Sequence, residues 1–127
     1  MIFYNSYVFG AILSLGVVQL PTTTGWQNTM TVTATAYNSL PGQTDSTPDI
    51  AAWGDRLKPG MKAIAVSRDL LKQGLGHGAK VKIEGLDGTY VVLDKMNKRW
   101  RKKIDIYMGK DAKAARKWGR HKVNISW

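Results

Sequence analysis

Two aspartates in apolar surroundings are the residues of this sequence best suited to acid–base chemistry. Asp94 follows the apolar run Tyr90–Leu93, and Asp105 lies between Ile104 and Ile106. A carboxyl group in an apolar setting can keep its proton near neutral pH and so act as a general acid. The structural alternative is that Asp105 faces solvent and pairs with a Lys or Arg, and that Asp94 caps a turn.

Other kinds of chemistry find little support in the residues. The chain of 127 residues contains no cysteine, which excludes disulfides, thiolate metal sites and a cysteine nucleophile. His77 and His121 stand alone, without the spacing of metal ligands, and nothing positions a histidine base beside a serine. A Gly-rich phosphate loop is also missing. The sequence therefore predicts no metal and no cofactor.

Positive charge is concentrated in the last third of the chain. The sequence has 19 Lys and Arg against 9 Asp and Glu, a net charge of +10. The stretch from Lys95 to Lys122 holds 12 of these cations and only Asp105 and Asp111 as acids, so it carries the whole excess. Such a stretch is either a solvated face that keeps the protein soluble or a surface for an anionic polymer. The sequence has no recognition-helix pattern and no aromatic–basic RNA motif, so no specific nucleic-acid partner is expected.

The N-terminal segment is apolar and uncharged. Residues 7–18 resemble the apolar region of an export signal, although no Lys or Arg precedes them and no A-x-A cleavage pattern follows. As a membrane span the segment is short and interrupted by polar residues. We expect residues 1–27 to be a signal peptide or an N-terminal anchor that contacts the membrane. The protein would then be exported and periplasmic or associated with the cell envelope.

Residues 28–127 have the pattern of one small β domain. Alternating or apolar runs bounded by turn residues predict six strands, and Leu86-Asp87-Gly88 predicts a hairpin turn. The expected strands are Thr29–Tyr37, Met61–Ser67, Lys80–Gly85, Thr89–Asp94, Ile104–Met108 and Lys122–Trp127. Helical pattern is confined to Arg68–Gln73 and Asp111–Trp118. Six short strands with one or two short helices favour a closed barrel over a sandwich.

A series of short motifs resembles a known family. They are I-A-V-S-R-D-L-L, G-x-x-V-x-I-E-G, Y-V-V-L-D-K-M-N-K-R-W, I-D-I-Y-M-G and A-A-R-K-W-G-x-x-x-V, preceded by T-A-Y. In order and spacing they resemble the three-aspartate (3D) domain of bacterial wall-remodelling proteins, which is similar to the catalytic barrel of membrane-bound lytic transglycosylase A. The resemblance implies a mainly β fold, a six-stranded double-psi β-barrel over residues 28–127.

The resemblance also implies a reaction and its residues. Such enzymes cleave the bond between N-acetylmuramic acid and N-acetylglucosamine in peptidoglycan without water, by attack of the muramyl 6-hydroxyl on C1. Asp94 is expected to protonate the leaving oxygen and then to take the 6-hydroxyl proton, while Asp105 raises its pKa. The residues expected to bind the glycan strand are Thr35, Tyr37, Trp53, Ser67, Asp69, Lys95, Arg99 and Trp100.

Two departures from the family pattern support an alternative. Ser67 stands where the third family aspartate follows I-A-V, with Asp69 as the nearest acid. The D-T-G-G-A-I-K-G run of the family is also missing, and the basic run Asp94–Trp100 (D-K-M-N-K-R-W) stands in its place. Cations pointing at Asp94 would lower its pKa and spoil a general acid. Expansin-like double-psi barrels show that the fold can loosen polymers without net hydrolysis. The alternative is therefore a non-catalytic module that binds peptidoglycan or an anionic wall polymer.

Overall fold

The computed structural model describes residues 25–38 and 50–127. Most of the segment expected to be an export signal or anchor, residues 1–24, lies outside the described residues, as does the loop segment 39–49. Within the described part, no helix has both the length and the apolar character needed to cross a membrane.

Six strands and two short helices follow one another along the chain. The strands are β1 (Thr29–Tyr37), β2 (Ala63–Val66), β3 (Lys80–Ile83), β4 (Tyr90–Lys95), β5 (Lys103–Tyr107) and β6 (His121–Ser126). The helices are α1 (Arg68–Leu71), between β2 and β3, and α2 (Ala112–Trp118), between β5 and β6. The Asp111 carboxylate caps α2 by accepting a hydrogen bond from the backbone N–H of Ala114. All eight elements were expected from the sequence, with boundaries that differ by at most two residues at a strand end.

The strands form a closed barrel in the order β1-β5-β2-β4-β3-β6, and β6 pairs with β1 to close it. The pairs β1–β5 and β2–β4 are parallel, whereas the other four pairs are antiparallel. The β3–β4 pair is the hairpin predicted from Asp87-Gly88. The prediction of a mainly β, six-stranded double-psi barrel with two short helices is confirmed.

Apolar side chains fill the inside of the barrel. Alternation along each strand sends one set of residues inward, as Val32 and Ala34 show on β1 and Ile104 and Ile106 on β5. These and their counterparts on the other strands form one buried cluster. The interior of a small barrel packed in this way is filled by the side chains of the barrel itself. Any polymer-binding surface must therefore lie on the outside.

One long loop covers part of that outside. Residues 50–62 fold back on β2, and the turn at their start is held by an antiparallel bridge between Ile50 and Arg56. Ala51, Leu57, Ala63 and Tyr107 form a second buried cluster beneath this loop, with Tyr37, Met61 and Leu93 packed against it. The expectation that this loop does more than connect two strands agrees with the contacts described below.

Candidate functional site

The strand register brings the two predicted aspartates to either side of Ala65. Ala65 pairs with Asp94 on the parallel strand β4 and with Asp105 on the antiparallel strand β5. Thr35 on β1 is the next residue in this row, paired with Asp105. Since neighbouring strands lie about 4.8 Å apart, the backbones of the two aspartates are separated by roughly 10 Å. We call Thr35, Tyr37, Ala65, Asp94 and Asp105 the carboxylate site.

A bulge puts Asp94 in this row. Ile64 pairs with Val92, but the register then shifts and Ala65 pairs with Asp94, so Leu93 is the extra residue on β4. Leu93 packs against the second buried cluster, on the outside of the barrel under the 50–62 loop. Asp94 also reaches this outer side, because its carboxylate bonds to the same loop.

Asp105 is a carboxyl group of the site that is disposed to keep its proton. Burial raises its pKa above the ordinary aspartate value, and the nearby Asp94 raises it further. A hydrogen bond from the Thr35 hydroxyl to Asp105 Oδ1 (2.9 Å) and the charge of Lys103 act in the opposite direction without cancelling the effect. Asp105 is therefore suited to exchange a proton or to bind a hydroxyl group.

Asp94 is used differently. Its Oδ1 accepts hydrogen bonds from the backbone N–H of Ala52 (2.8 Å) and from that of Lys95 (2.9 Å). The bond to Ala52 ties the 50–62 loop to the end of β4. Asp94 thus anchors a loop, and its charge raises the pKa of both Tyr37 and Asp105.

Tyr37 supplies a hydroxyl group close to both carboxylates. Its ring packs against that of Tyr107, with centroids 5.6 Å apart and an angle of 54° between the planes. The hydroxyl is buried and has no hydrogen-bond partner within residues 25–38 and 50–127. Burial raises the pKa of Tyr37 far above its ordinary value, and the charges of Asp94 and Asp105 add to the effect. The phenol therefore stays protonated and keeps a donor to offer.

Each tryptophan expected to bind sugar lies beside a cation that borders the site. Lys95 Nζ is 5.5 Å from the ring centroid of Trp53. Lys103 Nζ is 3.6 Å from that of Trp100, and the Arg99 guanidinium is 4.9 Å from the same ring. The predicted conflict between Asp94 and the basic run after it is thus eased, because Lys95 and Arg99 contact indole rings.

Ser67 and Asp69 do not join the carboxylate site. Ser67 is completely buried, and its Oγ accepts a hydrogen bond from the backbone N–H of Lys103 (3.0 Å). Ser67 therefore joins β2 to β5. Asp69 Oδ2 accepts from the backbone N–H of Lys102 (3.0 Å). Burial would raise the pKa of Asp69, but hydrogen bonds from Ser67 and Lys102 lower it overall.

Reasoning from the sequence missed Lys103, which borders the site. This lysine is only 7% exposed, and burial lowers its pKa, although the charge of Asp105 opposes that shift. The signal was available, since Lys103 and Asp105 are two residues apart in a strand and share its outer face.

His77 is exposed and lies in a turn, and its ring also makes two contacts within the described residues. Its Nε2 lies 2.5 Å from Asp55 Oδ2, and its ring packs against Trp53 with centroids 4.9 Å apart. The contact holds Trp53 in place beside Lys95. No local pattern signals it, because 22 residues separate the partners Asp55 and His77. Within the described ranges, no three His, Asp or Glu residues are placed to hold a metal ion.

The chain matches no protein-family model and no curated protein sequence. It is similar in structure to the crystal structure of apo expansin from Clavibacter michiganensis, with a TM-score of 0.51 and 18% sequence identity. The barrel has an expansin-like fold. The similarity covers 79% of this chain and 50% of the expansin chain, so this chain spans about half the length of that structure. At this identity the similarity concerns the fold alone, and membership of the 3D-domain family stays a prediction.

Proposed function

We propose that this protein is a cell-wall-binding module whose carboxylate site holds a glycan strand of peptidoglycan without needing to cut it. The observation that carries the proposal is the use of Asp94, whose Oδ1 is occupied by the backbone N–H groups of Ala52 and Lys95. A carboxylate bonded to the backbone of both a strand and the loop that covers it serves as a structural anchor.

The remaining groups suit the binding of a sugar. Asp105 and Thr35 offer oxygen atoms to sugar hydroxyls, and the protonated Tyr37 places a hydroxyl donor beside them in the wall of the site. Trp53 and Trp100 add aromatic rings beside Lys95 and Lys103, which border the site. The site lies on the outer wall of a barrel, where a long polymer can pass.

The expansin-like fold and the motifs shared with wall-remodelling proteins support the choice of polymer. The proposed partner is the glycan strand of peptidoglycan, with anionic wall polymers as additional partners. The proposed location is the cell envelope of a bacterium, reached by export.

Co-sedimentation of the full chain with purified peptidoglycan tests the proposal. The Tyr37→Phe and Thr35→Val variants remove a donor and a hydroxyl from the site, and we expect each to weaken binding by about tenfold, the effect of one well-placed hydrogen bond. Thr31→Val is the matched control, because Thr31 lies on the same strand but bonds to Asn124 on β6. Equal binding by all four proteins would contradict the proposal.

One observation favours cleavage as a second candidate function. The raised pKa of Asp105 is the property that a general acid requires, and it makes Asp105 a candidate proton donor of a lytic-transglycosylase-type reaction. Mass spectrometry of soluble products tests this candidate. Fragments lighter by one water than hydrolytic products, lost in Asp105→Asn and retained in Asp94→Asn, would establish cleavage with Asp105 as the acid. Bound protein without soluble fragments would leave binding as the function.

A further inference from the structure

A second polar surface lies where α1 meets the basic loop between β4 and β5. It is a pocket of about 440 Å³ that shares no residue with the carboxylate site. Its lining residues are Arg68, Asp69, Lys72, Gln73, Lys98 and Arg101. We call it the cationic pocket, because four of its six lining side chains are cations and one is an acid.

The two arginines are held in place by the loop backbone. Arg68 Nε donates to the carbonyl oxygen of Met96 (3.0 Å). Arg101 Nη1 donates to the carbonyl oxygens of Lys98 (2.8 Å) and Trp100 (3.1 Å). Each guanidinium is thus fixed by part of its donor set, and its other N–H groups have no partner within the described ranges. Fixed arginines lose little conformational entropy when they bind an anion, which favours binding.

The single acid does not neutralise the pocket. Asp69 Oδ2 is occupied by the backbone N–H of Lys102, and no Asp or Glu among the described residues lies within 4 Å of a cationic nitrogen of Arg68, Lys72, Lys98 or Arg101. The pocket therefore keeps a net charge of about +3, and its cations form no ion pair among the described residues, although the charge of Arg101 lowers the pKa of Asp69.

The lining indicates the chemistry of the ligand. It contains no aromatic ring on which a nucleic-acid base could stack and no apolar side chain that could accept an acyl chain. Guanidinium forks and ammonium groups around a wide polar pocket suit phosphate oxygens that are joined by polar linkers. From these observations we propose that the cationic pocket binds the phosphodiester groups of a polyol-phosphate polymer of the cell wall. The choice of this polymer over other phosphodiesters rests on the proposed wall-binding function.

Isothermal titration calorimetry of the full chain with poly(glycerol phosphate) tests the proposal. The informative variant is Lys72→Gln/Lys98→Gln, which removes two pocket charges whose side chains make no hydrogen bond among the described residues. The matched control is Lys110→Gln/Lys113→Gln, which makes the same charge change outside the pocket. We expect affinity to fall about tenfold in the pocket variant, the effect of two partly exposed charge contacts, and by less than about twofold in the control. An equal loss in both variants would show a diffuse charge effect and would overturn the proposal.

Two further ligands decide the specificity. Poly-glutamate and a single-stranded oligothymidylate of similar charge should bind more weakly than poly(glycerol phosphate) and with no difference between the two variants. If either polymer binds as tightly and shows the same loss in the pocket variant, the proposed ligand class is wrong. Peptidoglycan stripped of phosphate polymers separates this proposal from the glycan-binding one. The stripped peptidoglycan should bind the wild-type protein and the pocket variant equally. If neither protein bound it while poly(glycerol phosphate) binding stayed as expected, only the glycan-binding proposal for the carboxylate site would be contradicted.

Discussion

The carboxylate site and the cationic pocket are built in opposite ways. The first lies on four neighbouring strands, and its groups are mostly buried and hydrogen-bonded within the barrel wall. The second is made by a helix of four residues and an irregular loop, and most of its charges are exposed to solvent. In the carboxylate site, strand register fixes the positions of the groups that a polymer must fit. In the cationic pocket, solvated charges act on a polymer at longer range.

This difference predicts different responses to salt. Added salt screens exposed charges over distances of about 8–10 Å at physiological ionic strength, so binding in the cationic pocket should weaken as salt rises. Hydrogen bonds and ring contacts in the carboxylate site should change little. A protein with both surfaces can be attracted to a charged wall by one surface and positioned on a glycan by the other.

The strongest test that the two surfaces bind their ligands separately is to fill the carboxylate site with a larger side chain. Ala65 is 5% exposed and lies between Asp94 and Asp105. Ala65→Leu should abolish glycan binding and lower the free energy of unfolding by about 1–3 kcal/mol, because the added carbons crowd a packed position. Urea denaturation gives the stability, and co-sedimentation with stripped peptidoglycan gives the binding. Unchanged affinity for poly(glycerol phosphate) is the required control, and retained glycan binding would place the glycan elsewhere.

Asp105 in the carboxylate site and Asp69 in the cationic pocket should change the free energy of unfolding in opposite directions as pH rises. The pKa of Asp105 is raised in the folded state, so its contribution to stability is fully present below its unfolded pKa and is lost as pH rises through the raised value. The pKa of Asp69 is lowered, so its contribution is present above its unfolded pKa and is lost as pH falls through the lowered value.

Urea denaturation at pH 3 and pH 7 checks this pair. Asp105→Asn should stabilise the protein at pH 7 relative to its effect at pH 3, because asparagine never carries the buried charge. Asp69→Asn should destabilise it at pH 7 and have less effect at low pH. The same sign of change for both variants would contradict the assigned environments.

Substitution of Tyr37 should raise stability while it weakens glycan binding. Its buried hydroxyl lacks a partner among the described residues, and such a group costs about 1–3 kcal/mol when it is left unsatisfied. Tyr37→Phe should therefore raise the free energy of unfolding by about 1 kcal/mol while it weakens glycan binding. Thermal denaturation measures the first effect. A destabilised variant would mean that the hydroxyl has a structural partner.

The smallest expected effect concerns the junction of the two surfaces. Lys102 has a φ of +45°, a conformation that costs a residue with a Cβ atom about 1 kcal/mol. Lys102→Gly should relieve this strain and, after the entropy cost of glycine, stabilise the protein by about 0.5 kcal/mol. The backbone N–H to Asp69 is unaffected by the substitution, so Lys102→Ala serves as the control that removes the side chain and keeps the strain.

Local pattern was enough to predict most of the fold. The threonine–alanine alternation of β1 gave its bounds correctly, and the Asp87-Gly88 turn located the β3–β4 hairpin. Both features can be predicted from residues adjacent in sequence, because strand alternation and turn conformation are local properties. Closure of the barrel was inferred from the number of strands and from the family resemblance.

The site was predicted less completely, because it depends on pairing between distant residues. The bulge that brings Asp94, in place of Leu93, opposite Ala65 leaves no trace in local alternation. The burial of Ser67 follows from its bond to the backbone of Lys103, 36 residues away. The register places Asp94 and Asp105 on either side of Ala65, and the anchoring bonds of Asp94 could not be predicted from its neighbours in sequence.

The closure of the barrel also has a kinetic consequence for how the protein is made. Strand β1 pairs only with β5 and β6, and its pairing of Thr29 with Ser126 joins residues far apart in the sequence. The backbone of Trp127 adds hydrogen bonds to Gln27 and Asn28. When the ribosome releases β1, neither of its neighbours has yet been synthesised, so the sheet cannot close during translation. Folding must wait for the last strand and should be slow, as is usual for proteins dominated by long-range contacts. Such late closure would keep the chain open for the proposed export.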